Sequence, residues 1–161
     1  MASGITFEPR NPDYAGRVRD SFARQPMMAH IGAELVTLAP GYCEIALPYS
    51  RDITQQHGYI HGGALATIAD SAAGYAAFTL MAAADSPLTV EYKLNILRPG
   101  AGERFIAKGR VIKPGRTLTV VNADVYAVEN GAETLCVTSI QTLMTLAGTS
   151  DDRRFDAVDA R

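Results

Sequence analysis

The segment Gln55-Gln56-His57-Gly58-Tyr59-Ile60-His61-Gly62-Gly63 runs straight into a long alanine-rich stretch that carries one charge, Asp70. Two chemistries meet there. Glycine lets the backbone turn tightly and lie close to a ligand. The first amides of a helix have no internal partner and sit at the positive end of its dipole. If a helix starts at Gly62, the Gly62 and Gly63 amides are a candidate oxyanion hole or anion site; the plainer alternative is a capped loop-to-helix junction. A lone carboxylate among apolar helix residues costs several kcal/mol unless it is paired or hydrogen-bonded, and such groups gather at functional sites. Asp70 is therefore either catalytic or satisfied by Ser71, Thr67 or a strand hydroxyl. Asp70 lies eight residues after Gly62, a rise of about 12 Å along a helix. If both act on one carbonyl, Asp70 must come from a second chain whose helix runs antiparallel, and a two-fold dimer supplies that arrangement twice.

Other chemistries are not supported. No Gly-x-Ser-x-Gly nucleophile elbow occurs, and no phosphate loop of the Gly-x4-Gly-Lys-Ser/Thr type. Only His30, His57 and His61 could supply imidazole, with no cysteine near them at ligand spacing. We expect no metal and no cofactor.

The elements that must position these residues can be read from pattern. Asn11-Pro12 opens an amphipathic helix to about Met28, with Tyr14, Val18 and Phe22 on one side. Two strands follow, Ile31–Leu38 and Cys43–Pro48, joined by the turn Ala39-Pro40-Gly41-Tyr42. Gly62–Ala84 reads as one buried helix, alanine-rich and ended by Asp85-Ser86-Pro87. Four strands complete the chain. The first, Leu88–Leu97, alternates Leu88, Val90, Tyr92, Leu94 and Ile96 against Thr89, Glu91, Lys93 and Asn95. The others are Arg104–Lys113, Thr117–Val128 and Glu133–Leu146, the last two joined by Glu129-Asn130-Gly131. Residues 148–161 are polar and expected to fray. One antiparallel sheet has to curl around the apolar helix, which predicts an α+β fold with the helix in the concave face.

Length and composition agree. The 161 residues are 47% hydrophobic with a net charge of −2, which suits one folded domain. There is no basic excess of the kind nucleic-acid binding needs. The Gly62–Ala84 run is long enough to span a bilayer, but its Ala and Gly content and Asp70 argue for a soluble helix, so no membrane partner is expected. No signal peptide is visible in the opening residues. Cys43 and Cys136 read as reduced thiols, and the expected location is cytoplasmic.

The string HGGALATIAD, preceded by QQHGYI and followed by a strand ending in LRPG, resembles the hotdog-fold acyl-CoA thioesterases, in the phenylacetyl-CoA-type (PaaI-like) branch. The likeness covers roughly Met28 to Leu146, within a single domain 1–161. It implies hydrolysis of an acyl-CoA carrying an aromatic or short- to medium-chain acyl group. By this resemblance the Gly62 amide polarises the thioester carbonyl, Asp70 is nucleophile or general base, and Thr89 helps position water. Gln55 stands where an asparagine is common in the family. His61 contacts the sulfur or fixes the loop. Gly63, Tyr59, Arg98, Lys113 and Arg116 are candidate substrate contacts, the basic ones for coenzyme A phosphates. Tyr59, Tyr75 and Phe78 are candidate acyl-pocket walls. A homodimer is the minimal unit, with a tetramer expected. The alternatives are a non-catalytic acyl-CoA-binding protein and an acyl-CoA hydratase or dehydratase on the same fold.

Overall fold

Asn11 opens the N-terminal helical segment, its Oδ1 accepting from the Asp13 N–H at 3.1 Å, but the helix does not reach Met28 in one piece. Pro26 lacks the amide that a continuous helix would need there. The chain therefore forms α1 (Tyr14–Ala23), breaks at Arg24-Gln25, and restarts as α2 (Pro26–Ile31) with the proline at its start. Gly32 ends α2 in the left-handed region at φ 71°, so Ile31 belongs to a helix rather than to the first strand. The computed structural model describes residues 6–152.

The strands are β1 (Glu34–Ala39), β2 (Tyr42–Pro48), β3 (Ser86–Ile96), β4 (Arg104–Lys113), β5 (Leu118–Glu129) and β6 (Ala132–Leu146). They form one six-stranded antiparallel sheet in the order β1-β2-β4-β5-β6-β3. Asn130 and Gly131, at φ 49° and 79°, make the tight β5–β6 turn that the Asn-Gly pair predicts. The strand that follows the central helix thus ends at the sheet's edge, paired on one side only.

That helix, α3 (Gly62–Phe78), lies across the concave face, which is the α+β hotdog arrangement. It is shorter than its composition predicts. The Thr79 hydroxyl donates back to Ala76 O at 2.7 Å and accepts from the Gly41 N–H at 2.7 Å. The next amides then make tighter bonds, Leu80 to Ala77 O and Met81 to Phe78 O, and the chain leaves the helix. Among the described residues no helix is long and apolar enough to cross a membrane.

α3 can approach the sheet closely because its packing side is alanine and the strand beneath it carries a glycine. A Cβ on Gly109 of β4 would strike the Ala72 carbonyl and come within 2.9 Å of Ala73 N. One sheet covers only one side of a helix, however. Leu65, Ile68, Ala69, Ala72, Ala73 and Ala76 are buried, whereas Gly63, Ala66, Thr67, Asp70, Ser71 and Gly74 are not. These six recur at helical spacing and form a small-residue stripe facing away from the sheet. The helix is therefore not apolar and buried on all sides.

Gly109→Ala should be among the most disruptive single-methyl additions in the chain, because rigid backbone stands in the way. We expect a loss of about 1–3 kcal/mol, read from the denaturant midpoint of unfolding.

Candidate active site

The start of α3 is built by the loop before it. His61 N–H donates to Ile53 O and Ile60 N–H to Gly100 O, both at 2.9 Å. These bonds fix the chain direction at His61, the helix N-cap. The His61 Nδ1 accepts from the Gly63 N–H at 2.8 Å, which places the proton of the neutral ring on Nε2. The amide of Gly63, a candidate substrate contact by sequence, is thus already used as a donor to the cap. The Gly62 N–H, by contrast, has no hydrogen-bond partner among the described residues. It borders a cavity of about 440 Å³ that Gln55, Tyr59, Leu65, Ile96 and Arg98 also line. Gln55 Oε1 accepts from the His57 N–H, so the side chain's amide hydrogens are what it has left to offer a ligand.

Asp70 sits on the uncovered stripe of α3. Its Oδ1 accepts from the Thr89 hydroxyl at 2.8 Å, the strand hydroxyl that an isolated helix carboxylate calls for; Thr67 instead donates to Gly63 O at 2.8 Å. Burial raises the Asp70 pKa, and the Thr89 hydrogen bond partly opposes that rise. Thr89 reaches Asp70 because of a bulge. The β3–β6 register slips between Thr89 and Glu91, which changes which residues face the helix. Thr89 then shares the helix-facing side with Tyr92 and Ile96, which line the cavities beside Asp70 and Gly62, and with Leu94, which packs on the core; Leu88 and Val90 point the other way. The simple alternation expected for this strand holds only after the bulge.

Two cavities adjoin Asp70. One, of about 250 Å³, lies toward α1 and is lined by Ser21, Gln25, Gly74, Tyr75, Thr89 and Asp151. The other, of about 330 Å³, lies toward the start of α3 beside Gly63, Ala66, Thr67 and Tyr92. Gly62 lines neither, in keeping with its place eight positions before Asp70.

The structure brings Gln55, Tyr59 and Arg98 to Gly62, and Thr89 and Tyr75 to Asp70. It does not bring Lys113 or Arg116 to Gly62. Arg116 borders a separate cavity beside Ala77, Leu80 and Met81, at the far end of α3, about 22 Å from Gly62 by helix rise. Phe78 is buried in the core under the Arg17 guanidinium, 4.0 Å from its ring centre. Ser21, Gln25 and Asp151 were not legible as site residues, since nothing in an amphipathic helix or a polar tail marks contacts made across the whole chain. No three His, Cys, Asp or Glu side chains converge as a metal site among the described residues.

Residues 57–134, which hold α3 and β3, match the model of the Thioesterase superfamily. Over a wider span the chain is 54% identical to a thioesterase family protein from Silicibacter pomeroyi of known structure. The alignment covers 84% of this chain and 99% of that one, with a TM-score of 0.82. The chain belongs to the thioesterase superfamily. This thioesterase-superfamily chain is also 28% identical over 140 residues to a protein of Saccharolobus solfataricus with a provisional esterase name, 87% of this chain and 91% of that one. The PaaI protein from the phenylacetic acid degradation operon of E. coli has the same fold at 18% identity and a TM-score of 0.77, covering 87% of this chain and 98% of that one.

His61→Ala should cost about 0.5–2 kcal/mol of stability, as loss of an N-cap does, and His61→Asn should restore most of it in chemical denaturation. Asp70→Asn should stabilise the protein at neutral pH. A carboxyl whose folded pKa is raised holds its proton more tightly when folded, so its contribution falls as pH rises from the ordinary value of 3.8 through the folded one. The gain from Asp70→Asn should therefore be full above that window, shrink as pH falls through it and level off below 3.8, read from unfolding midpoints across pH.

Proposed function

We propose that the protein is an acyl-CoA thioesterase whose working unit is a homodimer, with Gly62 of one chain and Asp70 of the other flanking one thioester. The observation that carries this reading is the unpaired Gly62 N–H at the start of α3, on the same helix as a half-buried carboxylate that it cannot reach. A two-fold axis near Ala66, midway between them, sets the second chain's Gly62 opposite Asp70. Two features favour such a partner. The uncovered stripe of α3 is small enough for another helix to pack on it closely. In addition, β3 is an eleven-residue edge strand that exposes Tyr92 by 50% and Ile96 by 55% besides Leu88 and Val90, and unpaired apolar edges are templates for pairing. A tetramer would keep this paired-helix site.

In the proposed reaction the Gly62 N–H donates to the thioester oxygen as negative charge develops on it. Asp70, ionised and held by Thr89, takes a proton from water. The water oxygen bonds to the acyl carbon, the C–S bond breaks, and the thiolate leaves and takes up the proton. Burial makes Asp70 a stronger base than an ordinary carboxylate, which suits this step. Gln55 presents its amide hydrogens to water or to the thioester, the part an asparagine plays in related enzymes. The coenzyme A arm lies along Tyr59 and Arg98, where the Gly62 cavity continues into one of about 310 Å³ beside Glu129 and Thr134. Lys113 and Arg116 lie away from the Gly62 cavity of their own chain and would meet the coenzyme A phosphates from another chain. His61 acts by fixing the loop. No carboxylate pairs with it among the described residues, which disfavours a hydratase using a His–acid pair.

Thiol release from phenylacetyl-, hexanoyl-, decanoyl- and enoyl-CoA tests the proposal. Hydrolysis should occur, and Asp70→Asn should lower it by about 10²–10⁴-fold while the protein stays folded. Near-full activity in that variant would remove Asp70 from the mechanism. Tight binding without thiol release would make the protein an acyl-CoA-binding one.

A further inference from the structure

The smaller of the two cavities at Asp70 is closed by residues outside the 57–134 segment that defines the family. Ser21 and Gln25 come from the α1–α2 region and Asp151 from beyond β6. Gln25 Nε2 donates to the Tyr75 hydroxyl at 2.6 Å, and Ser21 Oγ lies 3.3 Å from the same oxygen. The Asp151 carboxylate pairs with Arg24 at 2.7 Å and lies 3.9 Å from Arg17 Nε. Arg17 is itself anchored, donating to Ala82 O at 2.7 Å and to Asp85 O. Gly148 N–H donates to Asp85 Oδ1 at 3.1 Å. Residues 148–151, where fraying is expected from composition, are thus tied at one end to the α3–β3 connection and at the other to α1.

We propose that this latched segment, together with the Gln25–Tyr75 pair, is the end wall of the acyl site and restricts the protein to short acyl groups. The inference rests on Asp70 being the catalytic carboxylate. Of the two cavities at Asp70, the one beside Gly63, Ala66 and Thr67 lies on the part of the stripe between Gly62 and Asp70, which a second α3 must cover to bring its Gly62 within reach, whereas the other lies beyond Asp70 toward Gly74. The acyl group is left with the other. At about 250 Å³ that space is smaller than the ~300–1,000 Å³ of pockets for drug-sized ligands. A chain too long for it would press methylenes onto Ser21, Gln25 and the paired Asp151. Those polar groups would lose water and gain no hydrogen bond in return. The ion pair holds the wall in place: Arg24 does not line the cavity but keeps Asp151 there.

The test is the ratio of kcat/KM for hexanoyl-CoA to that for decanoyl-CoA in the unsubstituted chain, Arg24→Ala, Asp151→Asn and Arg24→Lys, each checked by thermal unfolding. The unsubstituted chain should favour hexanoyl-CoA. Arg24→Ala and Asp151→Asn should each cut the preference by at least about tenfold, the scale on which apolar pockets sense chain length, mainly through a lower KM for decanoyl-CoA. Arg24→Lys, which keeps the charge, should retain most of it. A preference for decanoyl-CoA in the unsubstituted chain overturns the proposal. So does an unchanged ratio in the folded Arg24→Ala and Asp151→Asn variants. In both cases the thioesterase reading stands. Absence of hydrolysis with every thioester removes that reading and this inference together.

Discussion

Asp70 sits in a helix that the sheet needs for its core, and most of what surrounds it follows from that placement. A carboxylate there loses much of its hydration, and one hydroxyl hydrogen bond from Thr89 offsets part of the cost. The hydroxyl reaches it only because β3 carries a bulge before Glu91. The bulge in turn leaves Leu88 and Val90 turned outward on an edge strand. A local requirement of one side chain thus shapes the strand that is free to meet another chain.

The helix start divides its donors in a similar way. Several amides there lack intrahelical partners, and the protein does not leave them equivalent. The His61 side chain takes the Gly63 N–H, and the Gly62 N–H stays open to a cavity. A histidine beside two glycines invites a catalytic reading, but its δ nitrogen serves as a cap. As a cap it sets the angle at which the helix begins and so the direction of the one open amide.

Around this frame the chain adds parts that the family segment lacks. α1, α2 and the residues after β6 meet over the Asp70 cavity through Arg17, Arg24, Gln25 and Asp151. The family match describes the helix and strands that carry Asp70, Gly62 and Thr89; the smaller cavity at Asp70 is walled by chain ends that lie outside it. Stability and site geometry are linked there, because the same arginine that reaches Asp151 also binds the last carbonyls before β3.

By itself the sequence determined the order of elements, the enclosing sheet, the start of α3 and the isolation of Asp70. Each is written in local terms: alternation, alanine content, Gly-Gly after histidine, an Asn-Gly turn. It did not show where α3 ends, because Thr79 stops it through a bond to Gly41, a residue 38 positions away. Nor did it show the break at Arg24-Gln25, although Pro26 supplies a signal for it. The β3 bulge left no mark, since Thr89-Val90-Glu91 has ordinary strand composition and the slip exists only in register with β6. The placement of Asp151 was invisible for the same reason. Its partner Arg24 lies 127 residues away, and only packing the chain ends over one helix brings such charges within hydrogen-bonding distance.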